Sequence, residues 1–150
     1  MLDVRTECVI DRERESVAAY VADPVTAPEW YANIDSVEWV TPPPLRVGTK
    51  LAFVARFLGR RLAYTYEVVD FVPDTRLVMR TASGPFPMET TYEWADHAAG
   101  GTRMSLRNRG MPSGFSRLVA PFMAMAVRRA NRKDLARLKS VLESRRSSSV

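Results

Sequence analysis

What most constrains this chain is a change of rhythm along it. Through residues 34 to 109 apolar and polar side chains alternate in short runs broken by turn residues, and after Ser113 the apolar spacing lengthens to three and four. Period two is the signature of strands with one buried face, and period 3.6 that of an amphipathic helix. The runs predict strands at 3–10, 34–40, 49–58, 61–72, 76–82, 86–95 and 102–109. Pro42-Pro43-Pro44 with Gly48, Gly59-Arg60, Pro73-Asp74, Ser83-Gly84-Pro85 and the His97–Gly101 loop punctuate them. Connections this short allow only antiparallel neighbours, so the last six strands form a meander.

Two short helices fall between the first and second strands. Val17, Tyr20 and Val21 share one face of a helix over Arg12–Ala22, which Asp23-Pro24 ends because a residue before proline is pushed out of the helical region. A second turn of helix over Thr26–Tyr31 carries Trp30 and Tyr31. At the other end Ser113 is placed to cap a helix of some 30 residues. Its expected stripe runs through Phe115, Leu118, Val119, Phe122, Met125 and Ala126 and continues with Leu135, Leu138 and Leu142, with Pro121 kinking or breaking the first turns. An antiparallel sheet with one wet face must bury the other, and this helix is the only element large enough to do so.

The residue budget agrees with a single domain over 1–145 and a frayed tail at 146–150. In 150 residues, 46% hydrophobic and 26% charged side chains exclude a disordered or collagen-like chain. No apolar run approaches the roughly 20 residues of a membrane span. One cysteine, Cys8, cannot form an internal disulfide and alternates into the first strand as a small apolar filler; with no signal-like N-terminus, this predicts a cytoplasmic protein. Monomer and homodimer both stay open.

Charge is concentrated. Residues 117 to 146 hold nine cations against Asp134 and Glu143, a net +7, so the remaining residues carry −2 of the chain's +5. Such a helix is either a solvated face or a contact for an anionic membrane surface. No helix-turn-helix, zinc-finger or RNP-type pattern accompanies it, which argues against nucleic acid.

The motifs Tyr20-Val21-Ala22-Asp23-Pro24, Pro28-Glu29-Trp30, Val47-Gly48-Thr49, Tyr66-Glu67-Val68 before Pro73, Gly84-Pro85-Phe86, Gly100-Gly101-Thr102-Arg103 and Asp134-Leu135-Ala136-Arg137-Leu138-Lys139 occur in an order that is familiar. In them the chain resembles the SRPBCC (START-like, birch-pollen-allergen-like) superfamily, and within it the polyketide cyclase/dehydrase-like group. The resemblance implies an α+β helix-grip fold: a seven-stranded curved antiparallel sheet wrapped round a long C-terminal helix, with two short helices between strands 1 and 2. It also implies an apolar tunnel between sheet and helix that takes a hydrophobic small molecule such as an aromatic polyketide, lipid, sterol or quinone.

Alternation then nominates the lining: Phe53 and Phe57, Tyr64 and Tyr66, Met88, Thr90, Tyr92 and Trp94, Met104, and from the helices Trp30, Phe115, Leu118, Phe122 and Met125. The same pattern also describes side chains that simply fill a core. The polar strand residues left over are Arg56, Arg80, Glu89, Arg107 and Asn108, of which Glu89 and Arg107 would form a cross-strand pair if they lay opposite each other. His97 belongs to a loop, no metal-ligand spacing or phosphate-binding loop appears, and no metal or cofactor is expected. Some members of the resembled group hold a clear His or Asp in their pockets. Its absence from the predicted lining favours a non-catalytic binding or carrier protein, with Tyr66 and Tyr92 as the candidates should a cyclase or dehydrase act by positioning its substrate. A carrier that docks on an anionic membrane through the basic helix is the third reading.

Overall fold

Among the described residues, seven strands and three α-helices build the molecule. The structure, a computed structural model, describes residues 2–57, 59–84, 87–110 and 120–148, with the side chains of 57, 120 and 146–148 outside the description. The predicted cap Ser113 and the lining residues Phe115 and Leu118 lie outside the described residues, as does the side chain of Phe57.

The strands are β1 (Leu2–Ile10), β2 (Ile34–Trp39), β3 (Lys50–Phe57), β4 (Arg60–Val72), β5 (Arg76–Ser83), β6 (Met88–His97) and β7 (Gly101–Gly110). They form one antiparallel sheet in the order β1-β7-β6-β5-β4-β3-β2, so the six-strand meander closes by laying β7 against β1. The helices are α1 (Arg14–Ala22), α2 (Ala27–Trp30) and α3 (Ala120–Ser148). This is the helix-grip arrangement: a curled sheet with the C-terminal helix held against it.

Period two places Leu51, Phe53 and Ala55 of β3 and Tyr66 and Val68 of β4 on the buried face, with Leu77, Met79, Tyr92, Trp94, Met104 and Leu106 beyond them. The alternation is interrupted at a bulge. Val68 opposes Met79 and Asp70 opposes Val78, which leaves Val69 as the extra residue and turns Phe71, opposite Leu77, back onto the core face. Bulges also lie between β2 and β3, at Ile34/Ser36, and at Thr65/Tyr66 of β4; each adds local twist and helps the sheet curl. At the turn before residue 85, Gly84 is required by close approach, because a Cβ there would meet the Cβ of Tyr64 at 2.8 Å. In the β6–β7 turn Gly100 takes a positive φ of 79°, Gly101 is extended, and Ala99 (φ 62°) is the second left-handed residue.

Asp23 ends α1 as expected. Its side chain accepts from the Val25 N–H (3.2 Å) in place of another helical turn, and Thr26 Oγ1 donates to the Tyr20 carbonyl at 2.7 Å. Among the described residues α3 runs unbroken from Ala120 through Pro121 to Ser148; a break before residue 120, which Pro121 is also expected to mark, lies outside them.

The second half of α3 is pinned. Arg12 Nη1 donates to the Leu142 carbonyl (2.8 Å), Lys139 Nζ to the Val9 carbonyl (2.8 Å), and the Asp11 N–H to Glu143 Oε2 (2.9 Å). Leu135, Leu138 and Leu142, at most 2% exposed, seal this half against the sheet. The expected Glu89–Arg107 pair does not form: the register sets Glu89 opposite Arg109 and Arg107 opposite Thr91. Arg107 instead grips Asp3 on β1 at 2.6 and 2.8 Å, and Glu89 binds Arg80 on β5 at 2.8 Å.

Candidate ligand cavity

Under the first half of α3 the sheet and helix do not close on each other. Met123, Val127 and Ala130 of the helix face Phe53, Tyr64, Tyr66, Met88, Thr90 and Tyr92 of the sheet across a cavity of about 180 Å³. That is smaller than the roughly 300–1,000 Å³ typical of pockets for drug-sized ligands. Asn33, Arg56 and Arg109 contribute its more exposed polar edge.

The walls are largely aromatic. Phe53 and Tyr64 are cross-strand partners whose rings lie parallel with centroids 5.3 Å apart, and Tyr66 meets both edge-on at 5.3 and 5.1 Å. Such packing fixes the rings by quadrupole attraction as well as by burial. Three sets of polar groups interrupt the wall. Thr90 Oγ1 donates to Asn108 Oδ1 at 2.8 Å, so its lone pair is what the Tyr66 hydroxyl, also at 2.8 Å, donates to. The hydroxyls of Tyr31 and Tyr92 share a hydrogen bond of 2.6 Å. On α3, Asp134 is 4% exposed and accepts from the Ala32 N–H at 3.1 Å. One turn earlier Asn131 is 5% exposed, and its amide nitrogen has no hydrogen-bond partner among the described residues.

Electrostatics follow from burial. Desolvation pushes the Tyr66 hydroxyl up to about 12 and those of Tyr31, Tyr64 and Tyr92 above their ordinary value as well. All four are therefore neutral hydrogen-bonding groups near neutral pH rather than bases. Burial also raises the Asp134 carboxyl, opposed by the Ala32 N–H and by Arg137. Asp134 is the one acidic side chain among the described residues of the wall. No group of three or more His, Cys, Asp or Glu comes together anywhere among the described residues in a way that could hold a metal.

Six of the residues nominated from sequence meet at this cavity: Phe53, Tyr64, Tyr66, Met88, Thr90 and Tyr92. Others do not. Trp30 is 1% exposed and stacks on Tyr31 at 3.9 Å, beside a separate space of only about 20 Å³ under α1 and α2. Trp94 and Met104 are cross-strand partners packed solidly in the core, at 3% and 0% exposure. Phe122 and Met125 are 69% and 66% exposed and stand outside the cavity. The reason is geometric: at about 100° per residue, Phe122 and Leu138 lie some 160° apart round one unbroken helix, so both cannot face the sheet. Asp134, Asn131 and Tyr31 were not among the sequence candidates. The signal for the first two is their spacing, since 131, 134, 135, 138 and 142 form a single helical face.

Comparison with known proteins agrees with this architecture. The family described as polyketide cyclase / dehydrase and lipid transport matches residues 1–143. No curated protein matches by sequence. Among solved structures, TTHA0849 from Thermus thermophilus superposes with a TM-score of 0.80 at 20% identity, covering 95% of this chain and 98% of that one. The Zhui aromatase/cyclase from Streptomyces sp. R1128 gives 0.79 at 16% identity over 95% and 94%. A START superfamily protein from Mycobacterium smegmatis gives 0.73 at 13% over 93% and 98%. At these identities the likeness is one of fold.

Proposed function

The chain belongs to the polyketide cyclase/dehydrase and lipid transport family, and from that premise we propose that it is a binding or carrier protein for one hydrophobic small molecule, of aromatic polyketide, lipid, sterol or quinone type, held between sheet and α3. The observation that carries this reading is the cavity itself, an aromatic-walled space with few polar groups. Empty volume beside a close-packed core costs stability, and transferring apolar ligand surface from water into such a site is the driving force it offers. Tyr66, Thr90 and Asn108 supply a fixed polar strip that orients the guest. The test is to expose the purified protein to a hydrophobic extract, isolate the complex, denature it and identify what is released by mass. One unchanged apolar compound in stoichiometric amount is expected. Release of nothing above a control protein would overturn the reading.

A second reading, an aromatase/cyclase or dehydrase, is favoured by one observation, the buried Asp134 carboxyl. A carboxyl raised by burial can exchange a proton with a bound ligand, while the neutral tyrosines hold carbonyl oxygens in place. It predicts that the released compound is a cyclised or dehydrated relative of the input. Asp134→Asn would then abolish the conversion while binding persists. A conversion rate equal to that in buffer removes this reading.

A further inference from the structure

The two faces of α3's first half are chemically opposite. One lines the cavity through Met123, Val127, Ala130 and Asn131. The other carries Phe122, Met125, Arg129 and Arg132 at spacings of three, four and three, with Arg128 and Lys133 beside them, and all six side chains are exposed. Residues 120–133 contain no Asp or Glu. Elsewhere on the surface arginines are commonly matched with carboxylates: Arg56 with Asp35, Arg76 with Asp70, Arg80 with Glu89, Arg107 with Asp3 and Arg145 with Glu29. Arg128, Arg129, Arg132 and Lys133 have no such partner among the described residues, and the one acid that follows them, Asp134, is turned inward.

We propose that this outward face of α3 docks the protein on an anionic phospholipid bilayer, with Phe122 and Met125 entering the headgroup–acyl boundary and the four cations lying along the phosphates. Two large apolar side chains exposed to water and followed on the same face by cations are what a helix lying in a membrane interface presents. Charge decides against the other occupants. A second copy meeting this face symmetrically would set four cations against four, and a nucleic-acid backbone has no use for the exposed Phe122 and Met125. The inference rests on the carrier reading for its purpose, since docking would bring the cavity's helical wall to the surface where apolar guests reside. Its geometry is independent of that reading.

The experiment uses the full chain with vesicles of phosphatidylcholine, with and without phosphatidylglycerol, at low and at molar salt. Each cation near an anionic surface contributes about fivefold in partitioning, so Arg129→Gln/Arg132→Gln/Lys133→Gln together should lower vesicle binding on the order of 100-fold. Molar salt, which shortens the screening length to roughly 3 Å, should do much the same. Phe122→Ser/Met125→Ser should also release the protein from vesicles. Uptake of the apolar fluorophore N-phenyl-1-naphthylamine, measured without vesicles, should be unchanged in both variants, which verifies folding and separates failure of docking from failure of the cavity. Sedimentation indifferent to phosphatidylglycerol, salt or the triple substitution would overturn the proposal. So would a dimer abolished by the Phe122/Met125 substitutions, or retention on duplex nucleic acid in preference to vesicles.

Discussion

Removing one hydroxyl from the Tyr31–Tyr92 pair should cost unequal amounts depending on which is removed. The two oxygens are 2.6 Å apart and both side chains border the cavity, but Tyr92 is 4% exposed whereas Tyr31 is only half-buried. Tyr31→Phe therefore strands the Tyr92 hydroxyl away from water. An unsatisfied buried hydroxyl costs about 1–3 kcal/mol, and we expect about 2. Tyr92→Phe leaves the hydroxyl on the more exposed Tyr31, where water reaches it more readily, so only the net worth of the bond is lost, about 0.5–1 kcal/mol. With both substituted, no polar group is stranded and the cost should fall below that of Tyr31→Phe alone, giving a coupling of about 1–2 kcal/mol between the two sites. Urea unfolding measures this directly, followed by tryptophan emission, since Trp30 and Trp94 have ring centroids 6.3 and 6.2 Å from that of Tyr92. Costs that add to within about 0.5 kcal/mol, or a larger cost for Tyr92→Phe than for Tyr31→Phe, would refute the reasoning.

Two titratable groups give further expectations. Burial holds the Asp134 carboxyl above its ordinary 3.8, so the native state binds that proton more tightly than the unfolded chain; the resulting stability is full below the ordinary value and is lost as pH rises through the raised one. Asp134→Asn, which cannot ionise and keeps an oxygen for the Ala32 N–H, should be more stable than the parent at neutral pH, with the gap closing on acidification; thermal melts across pH check the sign. Burial pushes the Cys8 thiol up to about 11, so modification by a thiolate-selective disulfide reagent should be slow at neutral pH and rapid once urea unfolds β1.

Much of this fold is legible from period alone. Leu51, Phe53 and Ala55, then Tyr64, Tyr66 and Val68, alternate as written and stand on the predicted face, because a strand with one wet side has no other register that keeps them dry. Phe71 is not legible in this way, since its inward turn depends on the bulge at Val69, an event of pairing between β4 and β5. On α3 the apolar residues belong to two stripes of different phase. The aromatic one through Phe122 and Met125 is the louder in sequence, yet it is exposed, whereas the leucine stripe through Leu135, Leu138 and Leu142 is the buried one. Phasing the helix on the leucines carries Asn131 and Asp134 to the cavity side. Counting Asp134 only as one charge in a basic segment conceals it. Trp94 and Met104 have the right parity for the cavity, and only the three-dimensional curl of the sheet decides that they sit in its packed part.

The central claim is that the space between sheet and α3 is a site for an apolar guest. Ala130 lines it from the helix, so Ala130→Phe puts a ring into the cavity and leaves the leucine seal untouched. Fluorescence titration with N-phenyl-1-naphthylamine should find one site per chain in the parent and at least a tenfold weaker one in Ala130→Phe, the two proteins having matching circular dichroism. Equal affinity and stoichiometry in a folded Ala130→Phe would place the guest elsewhere and contradict the account.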